Sequence, residues 1–225
     1  MIVLSTRLQA VADLVPHCGC VADVGTDHGY LAAWLLQNNV AKHVFATDIH
    51  AGPLERAKQT AEDCGVTGKM SFYLCDGLQF REAQNADAVV IAGMGGETMI
   101  SILQNAPWSW QNTDLILQPQ SKQSMLFNWL REHGIGLNRA VLCEDAGKRY
   151  MAVRARGGSD ISVSAETLLL RAKDPLFSQY LKDELLRIDR ALAGMKMSTR
   201  DLQHEREAYL RRRQELESYL REELT

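Results

Sequence analysis

The sequence contains little cysteine, and its cysteines are not arranged in the pairs that hold a structural zinc ion. Its 225 residues include five cysteines with no CxxC spacing, and Cys18 and Cys20 have no matching second pair. Structural zinc sites need two such pairs or histidines in their place, so we expect no metal site. An odd number of scattered cysteines is typical of reduced thiols, which predicts a cytoplasmic protein.

Long hydrophobic runs and an excess of positive charge are also absent. No apolar stretch is long enough to cross a membrane, and the N-terminal residues lack the pattern of a signal peptide. The net charge is −3, so any surface that binds nucleic acid must be local. The composition is otherwise that of a globular protein, and the length allows one α/β domain plus a smaller element.

Residues 1–157 alternate between apolar runs and segments of helical periodicity. The predicted strands are residues 20–24, 43–47, 70–75, 87–92, 115–118, 137–144 and 149–156. The predicted helices are residues 5–14, 30–37, 53–64, 97–104 and 122–132. This alternation predicts an α/β, Rossmann-like seven-stranded sheet covered on both faces, with its last two strands as an antiparallel hairpin at the edge.

The composition changes at residues 157–160, where we place a boundary between a domain of residues 1–157 and a helical domain of residues 158–225. Beyond it, one helical face and one heptad repeat are visible, formed by Phe177, Leu181, Leu185, Ile188 and Leu192 and then by Leu202, Tyr209 and Leu216. Two helices with a short turn predict a C-terminal α-helical hairpin, coiled-coil-like in its packing.

Glycines and acids follow the first predicted strand, between Asp23 and Gly29. Glycine permits a sharp turn, and the free N–H groups at the start of the next helix favour an anionic group. A dinucleotide site would read GxGxxG, whereas this loop reads Asp-x-Gly-x-Asp-x-Gly, closer to the form found in methyltransferases. The alternative is a glycine turn that serves only packing.

Three further loops carry acids or glycines at strand ends. Asp48 follows the second strand and could accept the hydroxyls of an adenosine ribose, or could instead cap the next helix. Asp76 follows the third strand and could accept a hydrogen bond from an adenine amino group, or could be a turn residue. The segment 93–96, Gly-Met-Gly-Gly, follows the fourth strand, where ligands of open α/β sheets bind.

Taken together, these motifs resemble those of the bacterial tRNA (adenine-22-N1)-methyltransferases. The matching segments are LSTRL at 4–8, ADVGTDHGYL at 22–31, ATDI at 46–49, CDGL at 75–78, IAGMGGETM at 91–99 and LILQPQ at 115–120. The resemblance implies the methyltransferase variant of the Rossmann fold, S-adenosylmethionine as cofactor, and methylation of N1 of an adenine in the D-arm of tRNA.

The same resemblance assigns site residues. Those expected to bind the cofactor are Asp23, Gly25, Thr26, Gly29, Asp48, Ile49, Asp76, Gly77, Gly93, Met94 and Gly95. Those expected on the substrate side are Arg7, Tyr30 and Gly96, and those expected to be catalytic are Asp27, His28 and Tyr30. Asp27 would stabilise charge on the adenine, and Tyr30 would stack on it; structural roles for His28 and Tyr30 are the alternative.

Basic residues that could contact tRNA occur in two clusters, formed by Lys148, Arg149, Arg154 and Arg156 and by Arg211, Arg212 and Arg213. Acidic residues nearly balance the basic ones in the tail, which favours a solvated helix surface, with a basic stripe as the alternative. A stripe predicts that charge reversal at 211–213 weakens tRNA binding.

Other functions remain open at this point. A small-molecule methyltransferase would use the appended helices to cover its pocket, an NAD-dependent oxidoreductase would need GxGxxG, and a non-catalytic adaptor would be expected to lose Asp48 and Asp76. We expect a monomer that binds tRNA and does not bind a membrane.

Overall fold

The computed structural model describes residues 2–106, 112–196 and 202–223. Within them the strands are β1 (Cys18–Val24), β2 (Ala41–Asp48), β3 (Met70–Leu74), β4 (Ala88–Gly95), β5 (Asp114–Ser121), β6 (Ile135–Asp145) and β7 (Lys148–Gly157). The α-helices are α1 (Thr6–Ala12), α2 (Tyr30–Gln37), α3 (Ala51–Asp63), α4 (Gly96–Gln104), α5 (Gln123–Glu132), α6 (Ala165–Ala172), α7 (Phe177–Lys196) and α8 (Gln203–Glu223). By compactness the chain divides into residues 1–165 and 166–225.

The first unit contains one seven-stranded sheet in the order β3-β2-β1-β4-β5-β7-β6. The first five strands are parallel, and β7 runs antiparallel to both β5 and β6. This confirms the predicted sheet and its terminal hairpin. The strand order reverses direction between β1 and β4, and such a switch point is where open α/β sheets bind ligands.

Both faces of the sheet are covered by helices. Val90 and Ile116 belong to a buried cluster that includes residues of α1 and α2. Successive side chains of a strand point to opposite faces, so Val89 and Leu115 lie on the other face, and they are buried as well. Strands buried on both faces read as continuous apolar runs, which is why the sequence signal for β4 and β5 was clear.

Buried charge holds the hairpin strand β7 to β5. Asp114, at the start of β5, is buried and accepts hydrogen bonds from Arg154 at 2.8 Å and Arg156 at 3.0 Å. A buried carboxylate is stable only when it is paired, so these two arginines have a structural task. Arg149 pairs with Glu144 across the β6–β7 hairpin. The basic cluster proposed at this edge therefore consists largely of paired charges.

Residues after the predicted boundary at 157 remain close to the sheet. A side chain on Gly136 would lie 2.6 Å from the carbonyl oxygen of Ser159, which shows how closely that segment approaches β6. The domain boundary between residues 157 and 158 stays a prediction. The division of the chain into compact units falls between residues 165 and 166.

The second unit contains the predicted helical pair, α7 and α8, which pack together. Leu181, Ile188 and Leu216, all on the expected apolar positions, are buried. Arg213 lies four residues after Tyr209 in the heptad repeat, where a coiled coil carries an apolar residue such as leucine. It donates to Asp189 of α7 at 2.9 Å, so an ion pair takes the place of an apolar contact there. The break between the two helices falls largely on residues 197–201, outside the described residues.

Two tail arginines of the suggested basic stripe form ion pairs inside this unit. Arg212 pairs with Glu166, whose side chain is almost fully buried, and with Glu215 at 2.8 Å. Arg213 also pairs with Glu217. Arg211 is the most exposed of the three and reaches Glu207 only at 3.9 Å. Two of the three arginines therefore stabilise the helical unit, and this pairing argues against a free basic stripe.

Candidate active site

A cavity of about 340 Å³ opens at the switch point between β1 and β4. Its walls come from α1, from the ends of β1, β2, β4 and β5, and from the loop that leads into α2. The lining residues are Arg7, Leu8, Asp23, Val24, Gly25, Thr26, Asp27, His28, Tyr30, Leu31, Asp48, Ala92, Gly93, Met94 and Gln120. Most residues predicted for the cofactor and the substrate thus line one cavity.

The loop between β1 and α2 turns sharply because three of its residues adopt positive φ. Gly25, Asp27 and Gly29 have φ of 71°, 51° and 69°, a conformation that glycine adopts freely and aspartate tolerates. Gly29 also has a packing role, since a side chain there would lie 3.0 Å from Cα of Ala57 on α3. The packing alternative therefore describes Gly29, which lies outside the cavity, and not Gly25, which lines it.

Asp23 is the most deeply buried acid of the cavity. Its Oδ2 accepts a hydrogen bond from the Thr26 hydroxyl at 2.7 Å. Burial raises the pKa of Asp23 from 3.8 to about 6, the Thr26 hydroxyl opposes the rise, and the Asp48 carboxylate adds to it. Among the described residues, the Thr26 hydroxyl is the one hydrogen-bond partner of the Asp23 side chain, so the carboxylate can accept a further donor or a cation from the cavity.

The buried Asp23 predicts a pH-dependent difference in stability. The folded carboxyl holds its proton up to about pH 6, whereas the unfolded carboxyl releases it near pH 3.9. The free energy of unfolding of the wild-type protein therefore falls as pH rises through this window, whereas that of Asp23→Asn has no such contribution. We expect the free energy of unfolding of the variant, relative to that of wild type, to increase by roughly 2–3 kcal/mol between about pH 4 and pH 7.

Urea unfolding of both proteins across that pH range measures this gain. Asp63→Asn, which alters an exposed carboxylate at the end of α3, is the matched control and should show a nearly constant difference. A pH-independent difference between wild type and Asp23→Asn would contradict the proton uptake assigned to Asp23.

Asp27, His28 and Tyr30 form a polar and aromatic group at the mouth of the cavity. Asp27 is exposed and pairs with Arg56 of α3 at 3.1 Å, with His28 Nε2 3.7 Å away. The rings of His28 and Tyr30 stack with centroids 5.3 Å apart and planes 9° from parallel. The stacking covers one face of Tyr30, which is still 47% exposed.

Strand β2 brings Asp48 to the cavity, whereas three other residues that were predicted to bind the cofactor lie outside the cavity. Asp48 Oδ1 accepts the backbone N–H of His50 at 2.9 Å, and this bond fixes the carboxylate at the start of α3. Asp48 therefore lines the cavity, and the alternative that it caps α3 is wrong, because the N-cap of that helix is His50 and no side chain caps it. Ile49, Asp76 and Gly77 lie outside the cavity lining.

Gly77 is nevertheless tied to the same edge of the sheet, because its carbonyl accepts the buried Thr47 hydroxyl at 3.0 Å. Asp76 is exposed beside it. The cofactor roles predicted for Ile49, Asp76 and Gly77 stay predictions.

The four residues of the glycine segment at the end of β4 take different positions, and their predicted contacts with cofactor and substrate stay predictions. Gly93 and Met94 line the cavity. Gly95 and Gly96 do not; Gly96 is buried, and a side chain there would lie 2.5 Å from the Lys122 carbonyl oxygen. Gly96, the first residue of α4, thus allows that helix and the residue before α5 to approach closely. Its predicted substrate contact stays untested and is not favoured by this position.

A hydrogen-bond network positions Arg7 from the N-terminal helix. Its Nη1 donates to Gln118 Oε1 at 2.9 Å, and the same oxygen accepts the Gly93 N–H at 3.2 Å. The guanidinium also lies 5.8 Å from the ring centroid of Tyr150 on β7. Gln118 is fully buried, and its remaining amide donates to the Pro119 carbonyl.

Sequence reasoning missed Gln118, Gln120, Arg56 and Tyr150 as parts of the site. Gln118 and Gln120 belong to the LQPQ segment, which was part of the resemblance, so polar residues within a buried strand were an available signal. Arg56 and Tyr150 are brought to the site only by the tertiary fold. Nothing in their local sequence distinguishes them from surface residues.

Within the described ranges, no group of three or more histidine, cysteine, aspartate or glutamate residues could hold a metal ion. None of the helices in those ranges combines the length and apolar character needed to cross a lipid bilayer.

Comparison with known proteins identifies the relatives of this chain. Residues 4–153 match the family model described as "Methyltransferase domain". The tRNA (adenine(22)-N(1))-methyltransferase of Bacillus subtilis is 34% identical over 193 residues, covering 81% of each protein. The crystal structure of the m1A22 tRNA methyltransferase of B. subtilis superposes with a TM-score of 0.82 at 28% identity, covering 98% of this chain and 100% of that one.

A further solved structure contains a product of the cofactor. The M. capricolum protein TrmK, in complex with S-adenosyl-homocysteine, superposes with a TM-score of 0.79 at 26% identity. The superposition covers 96% of this chain and 97% of that one.

Proposed function

The chain belongs to the methyltransferase-domain family and, within it, to the bacterial tRNA (adenine-22-N1)-methyltransferases, and we propose that it transfers the methyl group of S-adenosylmethionine to N1 of adenine 22 in the D-arm of tRNA. The observation that carries this proposal is that the cavity at the β1/β4 switch point gathers Asp23, Gly25 and Asp48. We also propose that the protein acts in the cytoplasm, in keeping with a tRNA substrate.

The cavity residues fit this cofactor. Gly25 lines the cavity with positive φ and no side chain, and a Cβ there would overlap the terminal methyl of Met94, which packs against this glycine. The buried Asp23 offers a carboxylate to a positively charged ligand, and a cation there would favour its ionised form. Asp48 keeps Oδ2 available for a ribose hydroxyl. When bound, S-adenosylmethionine supplies an electrophilic methyl group carried on a sulfonium.

Asp48→Asn is expected to weaken cofactor binding about 20-fold. The substitution keeps the shape of the side chain but removes the charge that strengthens hydrogen bonds to ribose hydroxyls. Isothermal titration calorimetry with S-adenosylmethionine measures the loss, and Asp63→Asn, at the exposed end of α3, serves as the control. Equal affinity of wild type and Asp48→Asn would remove Asp48 from the cofactor site.

The methyl acceptor needs little chemical activation, because N1 of adenine carries a lone pair. The enzyme must therefore mainly hold that nitrogen in line with the carbon–sulfur bond that breaks. Tyr30 offers an exposed ring at the cavity mouth, and stacking on a base is worth about 1–3 kcal/mol. A base that enters this cavity has to leave its own stack.

Positive charge that develops on the methylated adenine needs a nearby anion. Asp27 lines the same cavity as Tyr30 and carries its carboxylate at the mouth. In this proposal Asp27 accepts a hydrogen bond from the adenine amino group and stabilises the charge. Arg56 and His28 position that carboxylate.

The experiment that tests the function is methylation of tRNA by purified protein, followed by mass spectrometry of the nucleosides and mapping of the modified position. We expect 1-methyladenosine at position 22, and none in a transcript with guanosine there. Methylation of small metabolites without methylation of tRNA would favour a small-molecule methyltransferase. Binding of NAD in place of S-adenosylmethionine would indicate an oxidoreductase.

A further inference from the structure

The ends of β4 and β5 each contain one residue without a partner in the sheet. Ala92 pairs with Gln118, Met94 with Pro119 and Gly95 with Ser121, so Gly93 and Gln120 are the extra residues of two irregular steps. Such bulges commonly lie next to active sites, where they redirect a side chain. Here both extra residues line the cavity.

The two glutamines of the LQPQ segment differ in how their amides are used. Gln118 is buried, and both polar atoms of its amide make hydrogen bonds within the protein. Gln120 is exposed, and among the described residues its side chain has no hydrogen-bond partner. The first glutamine supports the cavity wall, whereas the second presents an unused donor and acceptor.

Gly93 keeps the amide of Gln120 accessible. It has φ of 80°, which favours glycine, and a side chain there would lie 3.7 Å from Gln120 Nε2 and 3.4 Å from Arg7 Nη1. A side chain at this position would be in van der Waals contact with that amide. The bulge and the bare glycine therefore leave open the space beside the amide of Gln120.

A primary amide offers one acceptor and one donor side by side, which matches the N6–H and N7 edge of adenine. We propose that Gln120 reads this edge of the target base, an inference that rests on the function proposed above. Pairing at N6 and N7 leaves N1, on the opposite side of the amino group, free to accept the methyl group. Guanine carries an acceptor at O6 and fails to match the amide oxygen.

This contact is compatible with the place given to Asp27. The adenine amino group has two hydrogens, one beside N7 and one beside N1. Gln120 takes the first and Asp27 the second, so the amino group is held from both sides. Gln120 is then a specificity-determining residue.

A double-mutant cycle between Gln120 and N7 of the base tests the proposal. Wild type and Gln120→Ala are each assayed on tRNA that carries adenosine or 7-deazaadenosine at position 22. We expect kcat/KM to fall about tenfold for the variant on adenosine and about tenfold for wild type on the deaza base. The variant should lose little more on the deaza base, because the contact is already gone.

Controls separate recognition from folding. Gln59→Ala removes an exposed glutamine of α3 outside the cavity and should keep wild-type rates on both tRNAs. S-adenosylmethionine affinity and the thermal midpoint of Gln120→Ala should equal those of wild type. If Gln120→Ala does not fold, the rates of wild-type protein on adenosine and on 7-deazaadenosine still test the proposal. An undiminished rate with 7-deazaadenosine overturns the contact with N7.

The outcomes also separate this inference from the proposed function. Wild-type protein that leaves adenosine-22 tRNA unmethylated overturns both. A second outcome overturns only the contact between Gln120 and N7. In it, wild-type protein methylates adenosine-22 tRNA, but the losses in kcat/KM caused by Gln120→Ala and by the deaza base multiply when the two changes are combined.

Discussion

Asp27→Asn is expected to lower kcat for tRNA methylation about 100-fold while leaving the affinity for S-adenosylmethionine close to that of wild type. Asparagine preserves the shape of the side chain but removes the charge that faces the methylated adenine, and losing one such preorganised group costs about 100–1,000-fold in rate. Because the interaction is strongest after charge develops, the change should appear in kcat more than in KM.

Single-turnover kinetics with saturating tRNA and cofactor measures this effect. Asp13→Asn alters an exposed carboxylate after α1, outside the cavity lining, and is the matched control. An unchanged single-turnover rate in Asp27→Asn would refute the role of Asp27 and leave positioning by Tyr30 as the main contribution.

Arg212→Ala is expected to destabilise the helical unit by about 4 kcal/mol. The substitution leaves the carboxylate of Glu166 buried without its cation, and breaking a buried ion pair from one side typically costs about 3–5 kcal/mol. Hydrogen exchange across α7 and α8 reports the loss within the unit itself. Amides near Leu181 and Leu216, which are buried in wild type, should lose protection.

Arg211→Ala provides a matched control within the same run of arginines. Its side chain is 65% exposed and its ion pair with Glu207 is long, so its removal should change stability by less than about 0.5 kcal/mol. Equal protection of α7 and α8 in Arg212→Ala and Arg211→Ala would contradict the structural role of Arg212. A loss of tRNA binding after reversal of all three charges would therefore need a folding control before it indicated a contact.

Much of the sheet could be predicted because its strands are buried on both faces. The runs around Val44 and Val89 are continuously apolar, and both became parallel strands near the expected positions. Strand β4 extends three residues beyond its predicted limit at residue 92. The extension was not predicted because it is paired irregularly and contains glycines, which have no strand-like pattern in the sequence. Helix α6 was not anticipated, because its three consecutive leucines hide the helical period.

The candidate site was predictable where chemistry follows directly from local sequence. Asp23, Gly25 and Asp48 lie at or directly after the ends of parallel strands, and the parallel topology brings these ends together. Gln120 depends on two irregular steps in the pairing of β4 with β5, and Arg56 depends on the packing of α3. Neither relation is encoded within a short window of sequence, which is why both residues emerged only from the tertiary structure.

The bond from Arg7 to Gln118 has a consequence for biosynthesis. The two residues are 111 positions apart, and Gln118 also holds Gly93. During translation the N-terminal helix is made first but cannot anchor its guanidinium until β5 has emerged from the ribosome. A nascent chain that has already produced the loop from Asp23 to Gly29 therefore still lacks the part of the cavity wall that Gln118 holds, and this wall is completed only after β5 has been made.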